Sequence, residues 1–491
     1  MKILVAIAHY GNDNRACLER LIAEYRSMPW PVDIVVLSEA PKPLPAGVAI
    51  AVGLPDSSNP WSLPFAHRKL FAEQRDRYDL FVYSEDDTLV RRHNIEAFLD
   101  ATQRLAHDEI AGFLRSETDA RGQQYVSSVH SHFRWSPCSI VTRGGETFAR
   151  FSNDHAACYM VTRAQLETAI RSGGFLVAPH NGRYDMLCSA ATDVYTQCGL
   201  RRLICISRLQ TFILPHLPNK YLGRMGVPLD TVVAQVESLQ RIHVERRWSG
   251  SLFDAESRLP FGLWSKDLYE TPDPGLLALI PRRTRHLLSV GCGWGATEAA
   301  LVDAGIDVTA VPIDAVFADV VRRRGVRTLE GPLREALAGA DEGSFDCVLA
   351  TDSLHLIGDP VGWLKALRPY LTAGSGSLVW SVPNTLDVLT LRSKLGGFRN
   401  ALARPVETWG VTPVGRKRLK TWLHSAGFIP ETIIPVLSDR RRLAANATFG
   451  ALRGALAYGF LGRARLDTAI HRTSAPAQAS TRSHRYASRA H

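Results

Sequence analysis

Nowhere in the 491 residues is there a run of about 18 uncharged apolar residues, which excludes an ordinary membrane-spanning helix. The opening MKILVAIAHYGND soon breaks into polar residues and has no small-residue cleavage pattern, so it reads as a first buried strand and the protein is expected in the cytoplasm. Cysteine is sparse: thiols at 17, 138, 158, 188, 198, 205, 292 and 347 form no CxxC pair and no local Cys/His cluster. That excludes a disulfide framework or zinc ribbon and predicts free, mostly buried thiols. A broad basic face is also missing. Of the net charge of +10, the segment from Arg440 onward carries ten arginines against the single acid Asp467. The remaining body is nearly neutral, with 48 basic and 47 acidic residues, so no nucleic acid is expected as a partner.

What the chain does have is length for two or three cores and two stretches in which strands alternate with helices. The first contains KILVAIAHY, CLERLIAEYRS, VDIVVLSE, FAHRKLFAEQRDRY and DLFVYSEDD, a pattern that predicts a mainly parallel sheet covered by helices. The second begins at HLLSV and runs through TEAALVDAG, DVTAVPI, AVFADVVRRRG, FDCVLATD, VGWLKALRPYL and GSLVWSVPN, the order of a doubly wound α/β domain. The predicted fold class is therefore α/β with two domains. The expected boundaries are 1–226, a linker and lead-in at 227–284, the second domain at 285–438, and a basic tail at 439–491. The tail sequence RRRLAANATFGALRGALAYGFLGRARL predicts an amphipathic helix over about 440–466, with Leu443, Phe449, Leu452, Leu456, Phe460 and Leu461 as its apolar positions. Its arginines and leucines suit peripheral contact with an anionic membrane at the inner face; docking of the apolar positions on the second domain, with the arginines solvated, is the other reading, and the last twenty or so residues are expected to be disordered.

The loop Gly291-Cys292-Gly293-Trp294-Gly295 follows a buried strand and opens a helix, where glycines let backbone NH groups approach a ligand. With FDCVLATDSLHLIGDP and SLVWSVPN downstream, residues 286–436 resemble the class I S-adenosylmethionine-dependent methyltransferases. The resemblance implies S-adenosylmethionine as cofactor, with Gly291, Gly293 and Gly295 facing its methionine and ribose and Asp352 and Leu354 beside the reacting methyl. Three positions depart from the family pattern. Ser289 stands where an acid usually precedes the loop, Pro312 where the ribose carboxylate usually lies, and Pro332 where an acid usually meets adenine. Asp314 and Glu330, each two positions from its proline, are the candidate substitutes. His355 is a candidate general base, since an imidazole titrates near neutrality; packing at a helix start is the other reading.

The triplet Glu85-Asp86-Asp87 ends the apolar run DLFVYS, and three adjacent acids repel one another, so either a solvated turn carries them or a divalent cation stabilises them by supplying the opposite charge. At this point residues 1–223 resemble the GT-A glycosyltransferases, with a Rossmann-like α/β fold. That resemblance implies Mn²⁺ or Mg²⁺ on Glu85, Asp86 and Asp87 with His216 as a further ligand, a sugar nucleotide and a glycan acceptor as partners, and Asp185 and Asp193 as candidate bases. Asp154 and His155 precede a possible acceptor wall. Trp61 and His67 frame the nucleotide or pack in the core. Together the readings predict a bifunctional transferase that builds and methylates a bacterial surface glycan. The alternatives are a methyltransferase with a non-catalytic carbohydrate-binding module, and a scaffold whose two sites have decayed.

Overall fold

The computed structural model describes residues 1–127, 129–130, 133–222, 226–387, 405–447 and 452–467, without the side chains of 444–447. In the N-terminal half five strands lie side by side in the order Cys158–Thr162, Leu80–Glu85, Ile3–Ala8, Val32–Ser38 and Ala49–Val52. All pairs are parallel except the first, where Cys158–Thr162 runs antiparallel to Leu80–Glu85. Ile3–Ala8 is buried along its whole length, which is why ILVAIA shows no polar alternation. Two four-stranded sheets complete this half.

The C-terminal half is built on seven strands in the order Arg327–Thr328, Asp307–Pro312, His286–Cys292, Cys347–Ala350, Ser377–Pro383, Gly459–Leu466 and Phe428–Val436. The first five are mutually parallel, as the doubly wound prediction requires. Gly459–Leu466 is antiparallel to both neighbours.

That strand corrects the tail. A helix does form at Asp439–Ala447, but 459–466 is an inner strand of the sheet rather than the end of a membrane-lying helix. The reason is visible in GFLGRARL: Phe460, Gly462, Ala464 and Leu466 face one side with strict alternation. A Cβ on Gly462 would sit 2.2 Å from Trp380, so the small residue that suggested a helix surface is a strand contact. Two tail arginines are also paired internally, Arg441 with the buried Asp387 at 2.6 Å and Arg463 with Glu431 at 2.8 Å. The expected disordered end, from 468 onward, lies outside the described residues. Among the described residues no helix is long and apolar enough to cross a membrane.

The expected linker is likewise structural. Helix Leu229–Glu245 buries Val232, Val236, Leu239 and Ile242 in the N-terminal core, to which Ala315 and Val316 of the other half also belong. Each such side chain contributes roughly 1.5–3 kcal/mol when fully buried. On the same side, Ser238 Oγ donates to Asp319 at 2.6 Å, and Arg241 and Arg247 bind the same carboxylate at 3.2 and 3.0 Å. The two halves therefore share a packed, ion-paired boundary.

Candidate functional site

Strand His286–Cys292 delivers the glycine loop, and helix Ala296–Asp303 leaves it. Gly291 and Gly295 have φ of +83° and +77°, a region that side chains disfavour. The segment before the strand lies over the loop. A Cβ on Gly291 would come within 2.8 Å of the Phe253 ring, and one on Gly293 within 2.4 Å of the Leu268 carbonyl oxygen, which already accepts from Trp294 NH at 2.8 Å. Lys266, in the same segment, is buried and donates through Nζ to Thr351 O at 2.5 Å. Glu270, 3.8 Å from that ammonium, has its carboxyl pushed up to about 8 by desolvation, against the opposing pull of Lys266.

The family-position residues fall into place unevenly. Ser289 Oγ donates to Glu298 Oε1 at 2.6 Å, both residues being buried, so helix Ala296–Asp303 brings an acid to the place where the strand lacks one. Asp314 is fully buried after strand Asp307–Pro312. Its Oδ1 caps the next helix through Val316 NH (2.9 Å) and Phe317 NH (3.1 Å), while Oδ2 has no hydrogen-bond partner. Burial raises its carboxyl to about 6, against the pull of Arg134, whose Nη1 is 3.6 Å away. Glu330, by contrast, is held by Arg247 at 2.5 Å and Arg322 at 2.6 Å, which corrects its assignment to the cofactor. Asp352 has φ of +43° and accepts from Ser381 Oγ at 2.9 Å, a strained backbone beside the loop. Leu354 packs in the core. His355 is buried, with Nε2 2.7 Å from Trp264 O, and desolvation holds it at about 4. A neutral, weakly basic imidazole inside the core is a packing residue, which corrects its role as general base.

In the N-terminal half Asp86 and Asp87 share Asn14 and differ in their histidine partners. Asp86 meets His9 Nδ1 at 2.5 Å and Asn14 Nδ2 at 2.7 Å, and Asp87 meets Asn14 Nδ2 and His216 Nε2, each at 3.2 Å. His216 Nδ1 binds Glu117 at 2.5 Å. Burial works to raise Asp87, but the hydrogen bond and charge of His216 outweigh it and keep the carboxyl below its usual value. Glu85, partly buried at the strand end, is pushed up to about 8 by desolvation and then by the Asp87 charge. Glu85, Asp86, Asp87 and His216 thus do not form one convergent ligand set. Successive residues leave the strand in different directions, and His9, Asn14 and His216 engage both oxygens of Asp86 and Oδ2 of Asp87, while Asp87 Oδ1 has no hydrogen-bond partner. The group of His, Cys, Asp and Glu side chains whose ligand atoms do converge, among the described residues, is His130, His155 and Cys188.

The other candidates in this half separate into structural roles. Asp193 is buried against Arg68 at 2.9 Å, with His180 at 3.4 Å, and its pairing corrects the idea of a free base. Asp185 caps helix Met186–Thr196 by accepting from Cys188 NH at 2.9 Å. Asp154 is buried 3.9 Å from Arg202. His67 stacks on Tyr83 at 4.1 Å in the core, whereas Trp61 is exposed.

Residues 265–432 match the family model described as "Methyltransferase domain". Uncharacterized methyltransferases of Mycobacterium bovis and of Mycobacterium tuberculosis are each 30% identical over 192 residues, covering 38% of this chain and 89% of the relative. The chain belongs to the methyltransferase family. Among solved structures, an S-adenosylmethionine-dependent methyltransferase from Mesorhizobium loti is 19% identical, covering 39% of this chain and 96% of its own, with a TM-score of 0.31. The geranyl diphosphate C-methyltransferase of Streptomyces coelicolor, solved with S-adenosyl-L-homocysteine, is 17% identical over 39% of this chain and 75% of its own, with a TM-score of 0.30.

Within this methyltransferase the family match begins at 265, close to Lys266, in a stretch that the sequence presented as a linker. Lys266, Glu270 and Glu298 are buried or half-buried charges near the loop that the sequence pattern does not single out. The i, i+4 spacing of Lys266 and Glu270 is a visible signal, but it says nothing of burial.

Proposed function

We propose that the C-terminal half transfers a methyl group from S-adenosylmethionine to an oxygen or nitrogen of an acceptor. The observation that carries this reading is Oδ2 of Asp314 beside the glycine loop, a buried acceptor with no hydrogen bond and only the Arg134 charge at 3.6 Å, suited to a ribose hydroxyl. The residues that would hold the cofactor are Gly291, Gly293 and Gly295, from which Phe253 and Leu268 would have to give way, Asp314, which offers the carboxylate that Pro312 lacks, and Lys266, a buried cation suited to the methionine carboxylate once released from Thr351 O and Glu270. The cofactor, when bound, supplies an electrophilic methyl. The chain's own task is to exclude water and align the acceptor, which the apolar cover of Phe253 and Leu268 serves.

An acceptor has a place to bind. A cavity of about 1370 Å³ opens beside Leu356, Ile357 and Gly358, with Arg258, Arg416, Lys417 and Arg418 on its walls. A second, of about 680 Å³, lies between the halves and shares Asp254, Arg258 and Trp409 with the first. Cationic walls favour an anionic acceptor. The shared wall supports the wider reading in which a GT-A-like N-terminal half transfers sugar from a nucleotide and the product, a bacterial surface glycan, is methylated on the same chain. The parallel sheet with acids at the end of strand Leu80–Glu85 supports that reading too.

Calorimetry with S-adenosylmethionine and S-adenosylhomocysteine tests the first half of the proposal. Binding that is lost in Asp314→Ala supports it, and no heat at millimolar ligand with folded wild type overturns it. Thermal-shift screening with UDP-, GDP- and dTDP-sugars tests the second, since a ligand specific for the folded state raises its stability. Glycan binding without nucleotide-sugar turnover would leave the N-terminal half as a carbohydrate-binding module.

A further inference from the structure

We propose that His130, His155 and Cys188 form a binding site for a zinc-type divalent ion, separate from the acidic triplet at the strand end. The three residues are far apart in the chain. His130 lies in the turn before strand Trp135–Arg143, His155 in the extended stretch before Cys158–Thr162, and Cys188 in the first turn of helix Met186–Thr196. Folding brings one ligand atom of each within 4.8 Å of the others. Cys188 Sγ is 3.3 Å from His130 Nε2 and 3.7 Å from His155 Nε2.

These spacings fit a metal ion. A tetrahedral zinc ion, with bonds of about 2.3 Å to sulfur and 2.0–2.1 Å to imidazole nitrogen, requires sulfur-to-nitrogen separations of roughly 3.5–3.6 Å. The observed pair brackets that value, so little movement would be needed to admit the ion. The rings of His130 and His155 stand at 89° to each other, with centroids 5.1 Å apart, so they approach the sulfur from different directions instead of stacking. His155 supplies an independent observation. It is buried, and the ring nitrogen that faces the site, Nε2, contacts the Cys188 sulfur at 3.7 Å. A thiol is a weak partner for a buried imidazole, whereas a metal ion satisfies the ring nitrogen fully.

The donor set selects the ion. One thiolate and two imidazoles suit Zn²⁺ and its substitute Co²⁺ in preference to Mg²⁺ or Mn²⁺, which favour oxygen ligands. On binding, the Cys188 thiol gives its proton to solvent, and the Sγ–metal bond forms. Three protein ligands leave the fourth position to water or a substrate oxygen. Asp185, Glu85 and the Arg115 guanidinium all act electrostatically on Cys188, so charged groups of both signs surround the site. The inference does not depend on either transfer reaction proposed above.

The test uses full-length protein stripped with a chelator and titrated with Co²⁺ alone. The expected result is saturation at one equivalent with a sulfur-to-cobalt charge-transfer band in the near ultraviolet. Cys188→Ser should lose that band. His130→Ala, at a half-buried position less prone to misfolding, should weaken Co²⁺ binding by at least about tenfold. Stripped wild type that is folded by circular dichroism yet takes up no Co²⁺ overturns the proposal. So does a spectrum that is the same in wild type and in folded Cys188→Ser, and if that variant does not fold, unchanged affinity in His130→Ala does so.

Discussion

Arg134 Nη1, from the N-terminal half, stands 3.6 Å from Asp314 Oδ2 at the end of the second strand of the methyltransferase sheet. A group from one half therefore sets the charge of the carboxylate proposed to hold the ribose in the other. Burial raises the Asp314 carboxyl to about 6, and Arg134 opposes it. The folded-state value lies above the unfolded one, so the folded chain holds the proton longer, and ionising Asp314 costs stability as pH rises through about 6. Ligand binding should run the other way, since the ionised oxygen is the better acceptor for hydroxyl donors. Affinity for S-adenosylmethionine should rise through the same pH range. In Arg134→Ala that rise should move to higher pH, as followed by calorimetry in buffers matched for ionic strength. A pH-independent affinity would place Asp314 outside the cofactor site.

The buried pair Ser289 and Glu298 gives a second prediction. Substituting Ser289→Asp restores the acid usual for the family but puts it beside Glu298, where Ser289 Oγ now donates at 2.6 Å. Two buried carboxylates repel, and one must take up a proton. We expect Ser289→Asp to lose about 1–3 kcal/mol in urea unfolding, and Glu298→Gln in the same chain to recover most of it. Equal stability of the single and double variants would mean that the two side chains do not interact.

Gly293 tests how tightly the lead-in segment covers the loop. A Cβ there would be 2.4 Å from the Leu268 carbonyl oxygen, which is backbone and cannot rotate away. Gly293→Val should therefore cost stability, by roughly 1–3 kcal/mol for overpacking, as well as binding of S-adenosylhomocysteine. Gly305→Ala is the control: its φ of +83° makes it strained, but a Cβ there meets nothing within 4 Å, so ligand binding should survive. Loss of binding in both variants would mean that backbone strain, and not the cover over the loop, controls the site.

These residues also show what the sequence could disclose. The strand, loop and helix around Gly291–Gly295 are local, and the alternation of apolar runs with glycine punctuation reports them directly. The role of Glu298 is not local: its contact with Ser289 depends on the helix folding back over the strand. The same holds for Cys188, His155 and His130, which no spacing rule unites. Strand end Glu85-Asp86-Asp87 was legible as a concentration of acids, but not the direction of each side chain, which is set by His9, Asn14 and His216 from remote segments. The tail misled because Gly, Ala, Leu and Arg at 440–466 satisfy a helical pattern as readily as the alternation of one inner strand. Only the vacant edge between Ser377–Pro383 and Phe428–Val436 decides between them.

Truncation tests that last point most severely. Strand Gly459–Leu466 pairs along its length with Ser377–Pro383 on one side and with Phe428–Val436 on the other. Removing it strips both neighbours of their ladder and uncovers Trp380 and Phe428, which are fully buried. A chain ending at Tyr458 should therefore lose the C-terminal fold, with aggregation or exposure of tryptophan to quenchers as the readout. A chain ending at Asp467 keeps the strand and should match full-length protein in thermal unfolding. If peripheral membrane contact exists, only that second truncation can reveal it cleanly. Salt-sensitive sedimentation with phosphatidylglycerol vesicles that disappears in the Asp467-ended chain would assign it to 468–491, where four of the ten arginines lie. Equal sedimentation of the two chains would leave the far tail without that role, and a folded chain ending at Tyr458 would contradict the sheet order itself.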